Sequence, residues 1–387
     1  MMLWKNSEYE PGASLFMTEY YTAIILVTIF SLLVMVAAAY RNSFLPKEQK
    51  HGFIAVFFCI VLTASAEWFG VFLDGAPRSL RFLHTAAKVL EFSLTPAIPV
   101  ICAWAVGPHK SIRWMAIPLL ANAVLELLSA HYGFIFYVDA DNFYHRCAWY
   151  GLYVAAFLLG IGYLFFRSFH LSRRFQNRNS MVLGLILSFL TLGTGTQIVN
   201  RSIRIDWICV ALSTMLFYIY YSDLIQQLDA LTGLLNRRSY DCSAEGIRRP
   251  AVILFFDVDG FKSVNDRYGH QCGDQCLSRV GAQLKATYGK HGLCYRFGGD
   301  EFCVILSRQP DSLEKLNASF LHGMERQRAD EPRLPWVSVG YALFDPAQER
   351  VEDAMRRADE MMYRYKQRSR EASAVSQDAA PEVRPDP

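Results

Sequence analysis

The sequence has few charged residues, and they are concentrated in its C-terminal part. Asp, Glu, Lys and Arg make up 19% of the 387 residues, against 52% hydrophobic residues, which excludes a disordered protein. Residues 1–222 hold only 16 of the 39 basic and 11 of the 36 acidic side chains. The rest is slightly acidic and lacks a Lys/Arg stripe, so we expect no nucleic-acid partner. This distribution predicts a membrane part, residues 1–222, joined to a soluble part.

The sequence also lacks the cysteine spacings that indicate zinc or redox sites. Its nine cysteines are scattered, and Cys272 and Cys276 have neither Cys-X-X-Cys spacing nor a following His/Cys pair. Because the cytosol is reducing, we expect these residues to be ordinary thiols.

Long apolar runs dominate the first part. A helix needs about 20 apolar residues to cross a bilayer, and seven runs approach or reach this length. The sixth run is the weakest because residues 191–197 are mostly polar or glycine, so six spans is the alternative. We predict an all-α polytopic bundle in contact with membrane lipid, with spans at residues 21–40, 52–73, 88–106, 114–132, 148–166, 181–199 and 207–221.

The short loops between these runs predict an orientation. If the soluble part is cytosolic, an odd number of spans places the N-terminus outside. The inside loops then carry nine Lys and Arg residues and the outside loops six. This bias agrees with the excess of positive charge expected on the cytoplasmic side of a multi-pass protein.

Three carboxylates, Glu67, Glu91 and Glu126, lie within the predicted spans. An ionisable side chain at membrane depth is costly, and it usually faces a cavity or a partner. These residues are therefore candidates for a sensor pocket that binds a small extracytoplasmic or membrane-borne ligand. The alternative is structural, with pairing to Lys88, hydrogen bonds between helices, or positions near the membrane surface.

In the soluble part, residues 251–256 form an apolar run of strand length that ends in Asp257, Val258 and Asp259. Alternate side chains leave a strand on the same face, so the two carboxylates are neighbours. A buried strand does not usually end this way unless a cation neutralises the pair. Oxygen ligands of this kind suit Mg²⁺, with phosphate completing its coordination.

A second acidic point lies between two further apolar runs, residues 294–297 and 302–306. The intervening Gly298, Gly299, Asp300 and Glu301 predict a hairpin whose glycines allow close approach of a nucleotide. An ordinary hairpin with polar turn residues is the alternative. Together with the preceding Asp-X-Asp strand end, the pattern favours a Mg²⁺-dependent nucleotidyl- or phosphoryl-transfer site with carboxylates from neighbouring strands.

The segment from Gly298 to Phe302 resembles the signature of the GGDEF family, the diguanylate cyclases. Four further blocks appear in the family's order, at residues 229–238, 256–270, 338–342 and 358–370. The resemblance implies a C-terminal α+β domain with a five-stranded, mainly antiparallel sheet wrapped by helices, related to nucleotidyl cyclase and polymerase palm cores. We expect this domain at residues 229–370, a helical signalling stalk at 223–231 and a disordered tail at 371–387.

Similarity to the family also implies roles for individual residues. Asp257, Asp300 and the Val258 carbonyl would hold Mg²⁺, with Mn²⁺ as an alternative. Glu301 would act on the attacking 3′-hydroxyl as general base or bind a second metal ion. The residues implied in substrate binding are Asn265 and Asp274 at the guanine edge, Gly260, Phe261, Lys262, Lys366 and Arg370 at the phosphates, and Gly298 and Gly299 where the nucleotide approaches the backbone.

The reaction implied by the resemblance condenses two GTP molecules into cyclic di-GMP and two pyrophosphates. It needs a homodimer, because each protomer supplies half of the site. The membrane part would then be a sensor in the bacterial cytoplasmic (inner) membrane, with the GGDEF domain in the cytosol. Two alternatives stay open: a catalytically silent receptor for GTP or cyclic di-GMP, and a transport protein with a regulatory cyclase domain.

Several positions depart from the family pattern. Ala230 replaces the usual Pro, and Ser369-Arg370-Glu371 replaces Gly-Arg-Asn, but neither change removes a ligand. Gly289 and Gly292 occupy the positions at which many members carry the Arg and Asp of a product-inhibition site. We therefore expect weak or no feedback inhibition through that site.

Overall fold

The structure, a computed structural model, describes residues 11–107, 113–174, 180–199, 204–307 and 312–378. It divides into two compact units between Ile225 and Gln226. The N-terminal unit is helical apart from one small hairpin, whereas the C-terminal unit contains a sheet packed between helices.

Apolar helices build the N-terminal unit, as the long hydrophobic runs predict. α2 packs against α1, α3 and α4. At its centre, Phe53 packs edge-on against Tyr218 of α8, with ring centroids 5.1 Å apart. The helices are α1 (Pro11–Arg41), α2 (Lys47–Leu73), α3 (Arg81–Leu94), α4 (Ala97–Ala105), α5 (Arg113–Tyr132), α6 (Tyr150–Arg174), α7 (Ser180–Val199) and α8 (Asp206–Gln226).

The prediction of seven spans is not met. Among the described residues, five helices are long and apolar enough to cross a membrane, and a bent pair makes up to six. The pair joins Arg78–Leu94 to Ala97–Ala105 with a bend of 41°. Pro96 lies at this bend, where it has no N–H to continue the hydrogen bonds of α3. α7 falls short because only Met181–Gly193 is apolar, which is the dilution that made six spans the alternative.

A hairpin that no sequence pattern had indicated lies between α5 and α6. It pairs β1 (Phe136–Val138) with β2 (Tyr144–Arg146). Asn142, in its turn, has a positive φ of 67° and donates from its amide nitrogen to the carbonyls of Leu73 at 2.9 Å and Ala76 at 3.1 Å. The hairpin is therefore fastened to the connection between α2 and α3.

The C-terminal unit contains a four-stranded sheet in the order β4-β5-β3-β6, and every pair in it is antiparallel. Alternate residues of β3 enter two cores, so the strand is buried on both faces. Leu254 and Phe256 pack with α11 and α12, whereas Ile253 and Phe255 pack with α9 and α13. The elements are α9 (Arg237–Glu245), β3 (Ala251–Val258), α10 (Phe261–Tyr268), α11 (His270–Tyr288), β4 (Gly292–Arg296), β5 (Glu301–Leu306), α12 (Leu313–Asp330), β6 (Val337–Phe344) and α13 (Val351–Asp378).

The expected fifth strand is not found among the described residues. The segment at Leu235 lies beside β4 but pairs with it through a single bridge, to Tyr295. Its neighbour Asn236 caps α9 by accepting a hydrogen bond from the Ser239 amide at 3.0 Å, so the chain turns into a helix instead of extending the sheet.

Two further expectations about the ends of the domain are corrected. The helical periodicity of the stalk ends with α8 at Gln226, and a turn with Gly233 at a positive φ of 66° follows. Residues 371–378 belong to α13 and are helical, whereas residues 379–387 lie outside the described part of the chain.

Close packing of β6 on α13 leads to a stability prediction. A Cβ atom at Gly340 would lie 2.2 Å from both the Ala358 carbonyl oxygen and the Met362 amide nitrogen. Gly340→Ala should therefore weaken this contact by about 2 kcal/mol, or roughly 30-fold in the opening equilibrium of β6. Amide hydrogen exchange of the full chain, read by mass spectrometry, measures this change. Gly246→Ala is the control because its nearest atom lies at 3.4 Å; equal protection in both variants would contradict the prediction.

Candidate functional site

The carboxylates of the predicted site meet at one edge of the sheet. In the antiparallel register, Asp257 of β3 lies opposite Glu301 of β5 and opposite Ser338 of β6. The Val258 amide donates to the Asp300 carbonyl at 3.2 Å, which holds the turn before β5 against the end of β3. Asp257, Asp300 and Glu301 therefore come from two neighbouring strands and the turn that leads into one of them.

The Gly-Gly-Asp turn connects β4 to β5, as the sequence predicts for a hairpin. The amides of Phe297 and Gly298 donate to the Glu301 carbonyl at 2.9 and 3.2 Å. A Cβ atom at Gly298 would lie 2.6 Å from a carboxylate oxygen of Glu301, whereas Gly299 has open space beside it. Gly298 therefore leaves room for the Glu301 side chain, and Gly299 leaves the tip of the turn accessible.

An ion pair that the sequence analysis missed connects this turn to the segment before α9. The Arg296 guanidinium donates to the Gly299 carbonyl at 2.8 Å and to the Asp229 carboxylate at 3.1 Å. Asp229 also accepts hydrogen bonds from the Thr232 amide and hydroxyl. Partial burial alone would raise the pKa of Asp229, but the bonds from Thr232 and Arg296 outweigh it and hold that pKa below its usual value. Only the block at residues 229–238 pointed to this region, without a role for Asp229.

A lysine side chain neutralises the acidic edge. The Lys366 ammonium group, on α13, forms an ion pair with Asp257 and lies 3.8 Å from Asp259 Oδ1. The Ser338 hydroxyl donates to both oxygens of Asp259 at 2.9 Å. Asp259 is thus oriented by Ser338 of the neighbouring strand β6, while Asp257 and Asp259 share the positive charge of Lys366. The Arg370 side chain lies outside the described part of the structure.

Partial burial and neighbouring negative charge both raise the pKa of Glu301. Partial burial, together with the nearby Asp300 and Asp257 carboxylates, raises the pKa of Glu301 above its usual value. A group that binds its proton more tightly is better suited to accept one from a hydroxyl during a reaction. The carboxylate cluster that the sequence analysis proposed for a cation therefore adds to the effect of burial on this pKa.

The donor set of this edge fits Mg²⁺. Among the residues that the structure describes, no three His, Cys, Asp or Glu side chains form a ready-made metal cluster. Mg²⁺ usually takes one or two protein carboxylates and fills its coordination with water and substrate phosphate, so it needs no such cluster. Asp257 opposite Glu301, with Asp300 and the Val258 carbonyl beside them, supplies oxygen donors of that kind.

A second group of predicted residues lies on α10 and α11. Gly260, with a positive φ of 65°, ends the β3 edge and begins α10, which carries Phe261 and Lys262 in its first turn. Asn265 follows on the same helix, and its Oδ1 is buried without a hydrogen-bond partner among the described residues. A Cβ atom at Gly273 of α11 would lie 2.0 Å from this oxygen.

Gly273 is therefore a second residue that sequence reasoning missed. Its missing side chain makes the space for the Asn265 amide, and the next residue is the exposed Asp274. The two side chains predicted to contact a base are thus carried by adjoining helices, joined at this close contact. Lys262 is exposed to solvent on the other helix.

The three membrane carboxylates have different surroundings. Glu91 pairs with Lys88 at 2.8 Å, which is the structural alternative considered above. Glu67 accepts a hydrogen bond from the Trp207 indole N–H. Glu67 and Glu91 line one cavity of the N-terminal unit. Glu126 is fully buried on α5, is not part of the cavity wall, and accepts no hydrogen bond from the described residues.

Comparison with known proteins assigns the C-terminal unit. The family profile described as "Diguanylate cyclase, GGDEF domain" matches residues 226–372. The chain belongs to the GGDEF family. The matched segment contains the whole sheet and the turn of Gly298, Gly299 and Asp300. The N-terminal unit, with its five or six candidate membrane helices, lies outside the match.

Individual proteins are similar to part of this chain. The chain is 33% identical over 147 residues to diguanylate cyclase DgcM of Escherichia coli K12, covering 36% of this chain and 35% of DgcM. It is 32% identical over 168 residues to diguanylate cyclase DgcP of E. coli K12, covering 39% of this chain and 48% of DgcP. A 19.3 kDa protein from the repSA 5′ region of Streptomyces ambofaciens is 37% identical over 153 residues, which are 38% of this chain and 81% of that protein.

The chain spans less than half the length of these E. coli relatives. Among solved structures, the GGDEF domain of DgcB from Caulobacter crescentus in complex with c-di-GMP is 26% identical, with a TM-score of 0.31. That alignment covers 36% of this chain and 90% of the DgcB domain.

The lowered pKa of Asp229 leads to a prediction about pH. A carboxylate with a lowered folded-state pKa stabilises the fold above its unfolded pKa, and this stability is lost as the pH falls through the folded-state pKa. Asp229→Asn should therefore cost about 2 kcal/mol at neutral pH and cost less as the solution becomes acidic. Urea unfolding of the protein in nanodiscs at a series of pH values measures both quantities.

The exposed Asp330→Asn, at the end of α12, is the matched control and should leave unfolding unchanged at every pH. A cost of Asp229→Asn that does not depend on pH would contradict the ionic role given to Asp229.

Proposed function

We propose that this protein is a membrane-anchored diguanylate cyclase that condenses two GTP molecules into cyclic di-GMP and two pyrophosphates. The observation that carries the proposal is the register of β3 and β5, which sets Asp257 opposite Glu301 beside the Gly-Gly-Asp turn. Relatives with the same domain are named diguanylate cyclases. The N-terminal unit would be the sensor that regulates the reaction.

In this proposal the acidic edge would bind the metal ion and accept the proton of the attacking hydroxyl. Asp257, Asp300 and the Val258 carbonyl would hold Mg²⁺, or Mn²⁺ in its place, with Glu301 beside them. The bound ion supplies electrostatic stabilisation of the charge that develops on the α-phosphate and on the departing pyrophosphate. Glu301, whose pKa is raised by partial burial and by its acidic neighbours, accepts the proton of the attacking 3′-hydroxyl.

Substrate binding uses the residues around α10 and α11. The unpartnered Oδ1 of Asn265 and the exposed Asp274 carboxylate accept hydrogen bonds from the N–H groups of guanine. A carboxylate at Asp274 favours guanine, because guanine N1 carries a hydrogen and adenine N1 does not. The first amides of α10, after Gly260, face the phosphates together with Lys262.

Lys366 has two partners in turn under this proposal. It pairs with Asp257 in the structure, and it would move to the terminal phosphate, with Arg370, when Mg²⁺ and GTP bind. Exchange of one ionic partner for another keeps Asp257 neutralised throughout, which avoids an unpaired carboxylate at the sheet edge.

The reaction requires two copies of the chain. Each protomer binds one GTP, and each 3′-hydroxyl attacks the α-phosphate of the other nucleotide, forming one P–O bond and releasing one pyrophosphate. We propose a homodimer in the bacterial inner membrane, with the GGDEF domain in the cytosol, where GTP is available. The N-terminus is outside if α7, a 20-residue helix, also crosses the bilayer.

The central test is GTP turnover by the full-length protein in nanodiscs with Mg²⁺, with the products separated by chromatography. Asp300→Ala and Glu301→Ala should each lower cyclic di-GMP formation at least about 100-fold, because each removes a group that acts on the transition state. Glu314→Ala, an exposed acidic residue on α12, is the control and should keep the wild-type rate. A folded, dimeric wild type that binds GTP without turnover would contradict the proposal and indicate a receptor.

Feedback inhibition gives a second test. A Cβ atom at Gly292 would lie 2.0 Å from the Ile305 carbonyl oxygen across the β4–β5 pair, so this backbone leaves no room for the usual aspartate. Cyclic di-GMP at about 1 µM, added at the start of the assay, should leave the initial rate within about twofold. Added GMP controls for competition by a guanine nucleotide. Strong inhibition at that product concentration would show that another product site exists.

A further inference from the structure

The N-terminal unit contains a cavity of about 530 Å³. It lies at the end of the unit where α2 finishes, where the β1–β2 hairpin lies and where α8 begins, because Asp74, Tyr144 and Asp206 all line it. Its volume is in the range of pockets that bind small organic molecules. The wall combines aromatic and aliphatic side chains with several charged groups.

Two carboxylates form one wall of this cavity. The Trp207 indole N–H donates to Glu67 of α2, and Asp206 precedes Trp207 at the start of α8. Asp206 is 8% exposed, and its Oδ1 accepts no hydrogen bond from the residues that the structure describes. A buried, unsatisfied carboxylate oxygen is costly unless a partner occupies the adjoining space.

The basic side chains of the wall are already engaged. Lys88 pairs with Glu91 at 2.8 Å and lies 4.9 Å from the centre of the Tyr144 ring. The two arginines lie over tyrosine rings, with Arg146 at 4.5 Å from Tyr150 and Arg204 at 5.3 Å from Tyr21. The lining holds four carboxylates against these three lysine and arginine side chains, and its His145 lies 2.8 Å from the Asp139 carboxylate.

The remaining lining is mostly aliphatic or aromatic, with Thr95, Thr191 and His145 as polar members. Phe92, Phe157, Val154 and Val210 line the same space as Asp206. Aromatic faces attract cations, and the attraction is stronger where water is excluded. The wall therefore matches a molecule with one cationic end and an apolar body.

We propose that this cavity is a binding site for a small organic ammonium ion, whose charged nitrogen lies against Asp206 and Glu67 and whose apolar body lies against the aromatic side chains. The evidence for binding is the cavity itself. An effect of binding on GTP turnover also depends on the proposed cyclase function.

The position of the site on α8 gives it a route to the C-terminal unit. Asp206 and Trp207 occupy the first turn of α8 and Val210 the next. Near the other end of the helix, Tyr218 and Ser222 accept hydrogen bonds from the Asn42 amide at 3.0 and 2.9 Å. α8 spans 21 residues, or about 30 Å, and the chain enters the GGDEF match at Gln226. A cation at Asp206 thus acts on the helix that leads directly to the cyclase.

The first experiment compares three probes that share one skeleton and differ in charge: phenethylamine, phenethyl alcohol and hydrocinnamate. The full-length protein is held in dodecyl maltoside, a neutral detergent without an amine, and binding is followed by calorimetry. We expect saturable binding of phenethylamine, roughly tenfold tighter than the alcohol, and the weakest binding for the carboxylate.

Variants of the wall locate the site. Asp206→Asn should reduce phenethylamine affinity to that of the alcohol, and Glu67→Gln provides a second test if Asp206→Asn does not fold. Glu126→Gln is the matched control, because this buried carboxylate lies outside the cavity lining and its loss should leave binding unchanged. No saturable binding of the amine, equal or tighter binding of the carboxylate, or unchanged affinity in both wall variants would overturn the proposal.

Two further arms separate the source of the ligand and the consequence of binding. Added phosphatidylethanolamine that displaces phenethylamine would identify a lipid headgroup as the ammonium source, whereas no displacement would identify a free amine. Phenethylamine should change GTP turnover of the wild type and not of Asp206→Asn. Binding without such a change would overturn the regulatory effect alone, and absence of any turnover would count against the cyclase, so these failures can be told apart.

Discussion

The antiparallel register of β3 with its neighbours is the constraint on which the acidic edge of the sheet depends. Asp257 lies opposite Glu301 on one side and Ser338 on the other only in this register. A slip of one residue would turn every side chain of β3 to the opposite face. Such a slip would exchange Leu254 and Phe256 with Ile253 and Phe255 between two differently shaped cores, so the packing of both faces holds the acidic edge in place.

In both units, buried or half-buried carboxylates form ion pairs with basic side chains. At the sheet edge, Asp257 pairs with Lys366, and behind the turn Asp229 pairs with Arg296. In the N-terminal unit, the buried Glu91 pairs with Lys88. Buried or half-buried ion pairs of this kind contribute little net stability, but removal of one partner is costly because a charge is left unpaired. They therefore orient the backbone and side chains around them more than they stabilise the fold.

Asp206, like Glu126, departs from this pattern, because its Oδ1 accepts no hydrogen bond from the residues that the structure describes. Its position at the start of α8 also matters for signalling, because α8 contacts the cavity at one end and the Asn42 amide near the other. A helix of this length transmits a rotation or a shift as a unit. The proposed sensor and the proposed cyclase are thus connected by one covalent element whose first turn lines the cavity.

Local patterns were sufficient to predict the parts of the protein that depend on neighbouring residues. Residues close together in the chain predicted the apolar run before Asp257, the turn at Gly298 and the long hydrophobic helices. Burial of one face of an element gives such residues a recognisable period. The count of seven spans is not met at α7, where residues 191–197 dilute the apolar run, and the β1–β2 hairpin was missed because its three-residue strands are too short to show a period.

Only the tertiary structure decided which distant side chains meet. The contact of Gly273 with Asn265, the clamp of Arg296 on Asp229 and Gly299, and the cavity at Asp206 join residues from separate elements. By itself the sequence determined the two kinds of unit, the acidic strand end and the glycine turn, because a periodic pattern records which face of an element is buried. It does not record which partner covers that face, because that depends on how the elements pack together.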